Sequence, residues 1–125
     1  MDGLSSLLDT SVVIGGHGPS DADLGTGWSL SVVTVGELEA GVLLARGSKV
    51  RAQRLRRLGA ALTVAPVLPV DAFVAARYGE LRAATKRLPS NDLWIAATAL
   101  AHDLVLVTRD EQQAALPLVR TLFVS

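Results

Sequence analysis

The chain is 125 residues long, 50% hydrophobic, and carries twelve Lys and Arg against twelve Asp and Glu. This is enough apolar material for one core in a single domain spanning 1–125, and it argues against disorder over most of the length. Charge balance removes any net field that would draw in nucleic acid, and the absence of cysteine excludes disulfides and thiolate metal sites.

Leu4 to Leu8 forms a short apolar run ending at Asp9, which predicts a first strand. The Gly-, Ser- and Asp-rich stretch from Gly15 to Gly27 predicts a loop, with His17 exposed in it. Ser29 to Val33 fits a short strand or the lead-in to a helix. A helix is then expected from Thr34 to near Gly47, with Val35, Leu38, Val42 and Ala45 on one face. Lys49 to Leu62 predicts a second helix with Leu55, Leu58 and Leu62 as its apolar stripe.

Thr63 to Val70 is β-branched but interrupted by Pro66 and Pro69, so a short edge strand is expected there. Asp71 is placed to cap a helix with Val74, Tyr78, Leu81 and Leu88 along one face, ended by Pro89. Asp92 to His102 is apolar nearly all round, as in a helix buried on most sides, with Trp94 in the core and His102 at its C-terminal end. Leu104 to Val107 fits a strand covered on both faces. A short helix from Glu111 to about Leu116 and a strand from Thr121 to Val124 follow. Alternating strands and helices predict an α/β domain with a mostly parallel central sheet flanked by helices.

No apolar run approaches the ~18 residues that cross a bilayer, and the N-terminus does not read as a signal peptide, so no membrane association and a cytoplasmic location are expected. With two histidines and no cysteine, a metal here would be a hard cation held by oxygen, such as Mg²⁺ or Mn²⁺. Six of the twelve cations fall between Arg46 and Arg57. Lys49, Arg51, Arg54, Arg56 and Arg57 could contact an RNA backbone, form a solvated helix face, or belong to a protein interface.

Four acids stand at strand ends or helix starts: Asp9 after the first strand, Glu37 in an early helical turn, Asp92 at the start of the buried helix, and Asp110 just past the strand ending at Val107. Ligands of open α/β sheets bind beyond the carboxyl ends of strands, so Asp9 and Asp110 point toward the expected site, and the four acids could converge there. Clustered carboxylates suit metal-assisted phosphodiester hydrolysis, in which divalent cations activate water and neutralise phosphate charge. Each acid has a simpler reading too. Asp9 and Asp92 can cap helices, Asp110 with Gln113 matches a capping pattern, and Glu37 can be a solvated helix residue. A haloacid-type phosphatase would need a second Asp two residues after Asp9, where Ser11 stands. A catalytically silent module for binding RNA or protein fits poorly while all the acids are present.

The segments LLDTSVVI (Leu7 to Ile14), SVVTVGELEAGV (Ser31 to Val42) and NDLWIAATALAHDLVLVTRD (Asn91 to Asp110) resemble PIN domains, and among them the VapC toxins of bacterial toxin–antitoxin pairs. The resemblance implies a Mg²⁺- or Mn²⁺-dependent endoribonuclease with Asp9, Glu37, Asp92 and Asp110 as its catalytic, metal-binding acids. It also implies Thr108 as the hydroxyl residue near the site, with Thr10 or Ser11 orienting Asp9 and Arg109 placed to contact phosphate. RNA is the implied substrate, and a cognate antitoxin and a second copy of the chain are the implied partners. Many relatives carry Asn at the place of Asp110 and an acid or His three residues on, where this chain has Gln113. Glu39 and Glu111 are assigned to solvated faces or the rim.

Overall fold

The computed structural model describes residues 5–15 and 27–125. Leu4, His17 and most of the expected Gly15 to Gly27 loop therefore lie outside the described residues. Strands β1 (Ser6–Leu8), β2 (Trp28–Ser31), β3 (Val67–Leu68), β4 (Val105–Thr108) and β5 (Thr121–Phe123) form one sheet in the order β3-β2-β1-β4-β5. Every pairing is parallel, for example Leu7 opposite Ser29 on one side and Leu106 on the other. Among the described residues the helices are α1 (Thr10–Val13), α2 (Val32–Leu44), α3 (Ser48–Val64), α4 (Ala72–Ala84), α5 (Ser90–Ala101) and α6 (Glu111–Ala114). Among the described residues, no helix is long and apolar enough to cross a membrane.

Neighbouring strand residues point to opposite faces, and both faces are apolar. Leu7 and Leu106 join Val74, Leu81, Leu93 and Ile95 in one core, under α4 and α5. Leu8, Leu30 and Val107 join Val12, Ala61 and Ala65 in a second core, under α1 and α3. The half-buried Trp28 packs against this second core from β2, while Trp94 stacks on Tyr78 with ring centroids 3.9 Å apart at the margin of the first. The continuous apolar runs of β1 and β4 follow from this double coverage. Strand order reverses between β1 and β4, and the crevice beyond their carboxyl ends is where the fold places ligands.

Several boundaries depart from expectation for local reasons. α2 begins at Val32 instead of Thr34 because the Ser31 hydroxyl caps it, accepting from the Val33 N–H at 3.1 Å. The β-branched Val32 and Val33 look like strand in isolation, but the cap decides. α2 ends at Leu44, short of Gly47, whose φ of +88° suits glycine and turns the chain into α3. α3 packs through Leu58 and Ala61, whereas Leu55 and Leu62 are 56% and 41% exposed, so the expected leucine stripe is rotated off the core. α4 starts at the expected Asp71 cap, whose carboxylate accepts from the Val74 N–H, but it stops at Ala84. Thr85 turns to extended backbone, and Leu88 reaches the core from outside the helix. β3 is the expected edge strand, cut to Val67–Leu68 by its flanking prolines.

Candidate active site

Asp9 follows β1 directly, and Asp110 stands two residues beyond β4, which ends at Thr108. Asp9 is buried, at 4% exposure, so both carboxylate oxygens need partners. Oδ2 accepts from the Ser11 N–H at 3.0 Å and caps α1; Oδ1 accepts from Gln113 Nε2 at 3.1 Å. The capping and site readings of Asp9 are thus compatible.

Asp110 caps α6, with Oδ1 accepting from the Gln112 and Gln113 N–H groups at 2.8 and 3.2 Å. Its Oδ2 has no partner among the described residues. The expected capping pattern is only half realised. The Asp110 N–H donates to the Thr108 hydroxyl at 3.0 Å, and the Gln113 side chain turns inward instead of back to the cap.

Glu37, one turn into α2, is half-buried instead of solvated. Oε1 accepts from the Thr10 hydroxyl at 2.5 Å, and Oε2 from Asn91 Nδ2 at 3.4 Å. The Thr10 hydroxyl also lies 3.1 Å from the fully buried Thr34 hydroxyl, from which it can accept. Of the two residues expected to orient Asp9, Ser11 does so through its backbone, while Thr10 reaches Glu37. The Ser11 hydroxyl accepts from the Arg109 N–H at 3.0 Å, tying α1 to the end of β4.

Asp92 lies in the first turn of α5, but Pro89 occupies the cap position and no side chain caps that helix. Burial pushes its carboxyl up to about 6, and the charges of Asp9, Asp110 and Glu37 push it the same way. Asp92 therefore lies within electrostatic reach of the other three acids. Among the described residues no Lys, Arg or His forms an ion pair with any of these acids, and their side-chain partners are neutral. No three His, Cys, Asp or Glu side chains among the described residues are grouped tightly enough to enclose a metal ion as they stand.

The buried Gln113 is what the sequence reading missed. With 0% exposure, its Oε1 accepts from the Thr108 hydroxyl at 2.6 Å, while Nε2 donates to Asp9 and, at 3.1 Å, to the Asp92 carbonyl. One side chain thereby joins β1, β4, α5 and α6. Its spacing from Asp110 suggested only a cap, and nothing local marks a glutamine as buried. Arg109 Nη1 donates to the Gly15 carbonyl at 3.1 Å, so this arginine braces the end of α1. Glu39 and Glu111 are exposed, as expected.

The raised acid at Asp92 has a consequence for stability. The folded chain holds this proton more tightly than the unfolded chain, whose carboxyl titrates near 3.8. Stability is therefore lost as pH rises from about 4 to about 6 and is unaffected by this group below that window. Asp92→Asn is expected to stabilise the metal-free protein by about 1 kcal/mol above pH 6, after allowing for solvent screening, and by nothing near pH 3. Melting temperatures across that range check it.

Residues 6–118 match the PIN domain family. The chain is 42% identical over 124 residues to Ribonuclease VapC4 of Mycobacterium tuberculosis, covering 94% of this chain and 95% of that protein. It is 38% identical over 119 residues to Ribonuclease VapC5 of the same organism, covering 90% and 87%. Its fold superposes with a TM-score of 0.84 and 36% identity on a solved member of the VapBC family of toxin–antitoxin systems, VapBC-5 from Mycobacterium tuberculosis, covering 96% of this chain and 98% of that one. The family match over most of the chain, the identity to these proteins and the shared fold agree, and the chain belongs to the PIN-domain family, in its VapC group.

Proposed function

We propose that this chain is a divalent-metal-dependent endoribonuclease, the toxin of a toxin–antitoxin pair, with Asp9, Glu37, Asp92 and Asp110 as its metal-binding and catalytic acids. The observation that carries the reading is that Asp92 feels the charges of Asp9, Asp110 and Glu37, with only neutral side-chain partners for these acids among the described residues, in a chain whose relatives are named ribonucleases. Such a set lacks positive charge, and a hard cation supplies it.

The donor chemistry fits Mg²⁺ or Mn²⁺. Mg²⁺ keeps several waters and takes one or two carboxylates plus substrate phosphate, so a closed protein cage is not required. When bound, the cation would lower the pKa of a coordinated water and neutralise charge on the phosphate. Asp9 is the fixed member, its two oxygens held by Ser11 and Gln113. Asp110 Oδ2, which has no partner among the described residues, and the carboxylate of Asp92 complete the acidic face, and Glu37 is oriented by Thr10. Asp92 must lose its proton to serve as a ligand, so apparent metal affinity should fall as pH drops through about 6.

A relative of known structure is described as a member of the VapBC family of toxin–antitoxin systems, and we infer an antitoxin partner here too. Leu43, Leu44 and Leu55 are 73%, 77% and 56% exposed, and these apolar side chains on α2 and α3 suit coverage by that partner and by a second copy of the chain. A cytoplasmic location follows from an RNA substrate. The purified chain, freed of antitoxin, should cut single-stranded RNA with Mg²⁺ or Mn²⁺ and stop when EDTA is added. Cleavage that persists in EDTA would refute the metal-dependent reading.

A further inference from the structure

The basic run of α3 is not one surface. Arg54 and Arg57, three residues apart and so on the same side of the helix, are half-buried, whereas Arg51 and Arg56 are exposed. Arg54 and Arg57 line a cavity of about 380 Å³ whose other wall is Thr10, Glu37 and Gly41, with Ile14 and Leu38 as its apolar part. The cavity thus begins at an acid of the candidate active site and ends at two guanidinium groups.

Arg54 is fixed in place, its Nη1 donating to the Gly41 carbonyl at 2.7 Å. Arg57 has no hydrogen-bond or ion-pair partner among the described residues. An arginine at a cavity wall that makes no ion pair among the described residues is suited to bidentate contact with a phosphate. The cavity volume is at the lower end of the range for small-molecule sites, which fits one nucleotide unit and not a folded element.

We propose that this cavity is a subsite for the RNA strand, holding the nucleotide next to the cleaved bond, with its phosphate on Arg57 and Arg54. The proposal rests on the ribonuclease reading above and extends it from the acidic cluster to the substrate's path. The strand leaves the acids past Glu37 and Thr10, lays its ribose against Ile14 and Leu38, and meets the arginines with its next phosphate. Among the described residues no aromatic side chain lines the cavity, so the subsite grips backbone and does not read bases by stacking.

The test uses the full chain carrying Asp9→Asn, which blocks cleavage while binding is measured, and a short end-labelled single-stranded RNA of mixed sequence. Adding Arg57→Ala should weaken RNA binding about tenfold and lower the slope of log affinity against log salt by about 0.7, the value for one lost phosphate contact. The loss should be uniform across RNA sequences. Arg56→Ala, on the exposed side of α3, should change neither quantity. Unchanged RNA affinity and salt slope with Arg57→Ala overturn the subsite. So does a loss confined to antitoxin binding, which would assign the cavity to an acidic antitoxin segment. If the chain with an intact Asp9 cuts no RNA with any divalent metal, the ribonuclease reading falls first and the subsite with it.

Discussion

Asp9→Asn is expected to reduce RNA cleavage by about a thousandfold or more, because several kcal/mol of transition-state charge stabilisation would go with the metal at this position. The substitution removes a charge and almost no volume. An Asn oxygen can still accept from either the Ser11 N–H or Gln113 Nε2, now at 3.0 and 3.1 Å, but the amide cannot accept the other. That lost hydrogen bond costs about 1 kcal/mol. Relief of repulsion against Asp92 offsets part of it. The variant should therefore melt within a few degrees of the wild type while cutting no RNA. A large fall in melting temperature would mean that Asp9 is chiefly a structural cap.

Gln113→Met tests the residue on which the site's geometry depends. Methionine fills a similar space but makes none of the three hydrogen bonds to Asp9, Thr108 and the Asp92 carbonyl. Buried groups left without partners cost about 1–3 kcal/mol each where water cannot replace the bond, so a total near 3 kcal/mol is expected. That corresponds to a fall of roughly 10 °C in melting temperature for a domain of this size. Cleavage at limiting metal should fall by about 10- to 100-fold, as for other residues that orient metal-binding groups. Denaturant unfolding gives the first figure and a metal titration of cleavage gives the second. Full activity at every metal concentration would show that Asp9 needs no help from Gln113.

Much of this was legible in the sequence. The unbroken apolar runs of β1 and β4 announce strands covered on both faces, and alternation with helices announces the parallel sheet. The position of Asp9 and Asp110 beyond strand ends, where such sheets place ligands, is readable from the runs that precede them. Asp71 is readable as a cap because capping is a local hydrogen bond.

The remainder depends on contacts that no local pattern records. Ser31 starts α2 against the strand preference of the two valines after it. The packed side of α3 runs through Leu58 and the small Ala61, and leaves Leu55 and Leu62 outside the core. Gln113 is polar and near a cap, yet the partners that bury it come from residues 9, 92 and 108. The split of the basic run into Arg54 and Arg57 facing the cavity and Arg51 and Arg56 facing solvent depends on how α3 lies against α2.

The central claim is that the switch-point carboxylates bind a divalent cation and that the bound cation enables RNA cleavage. One titration tests both parts: metal is added to EDTA-treated protein while melting temperature and RNA cleavage are followed together. A ligand that binds only the folded chain raises stability by mass action. Metal-induced stabilisation and cleavage should therefore appear over the same concentration range, and both should vanish in Asp9→Asn. Cleavage without added metal, or stabilisation that survives Asp9→Asn unchanged, would contradict the account.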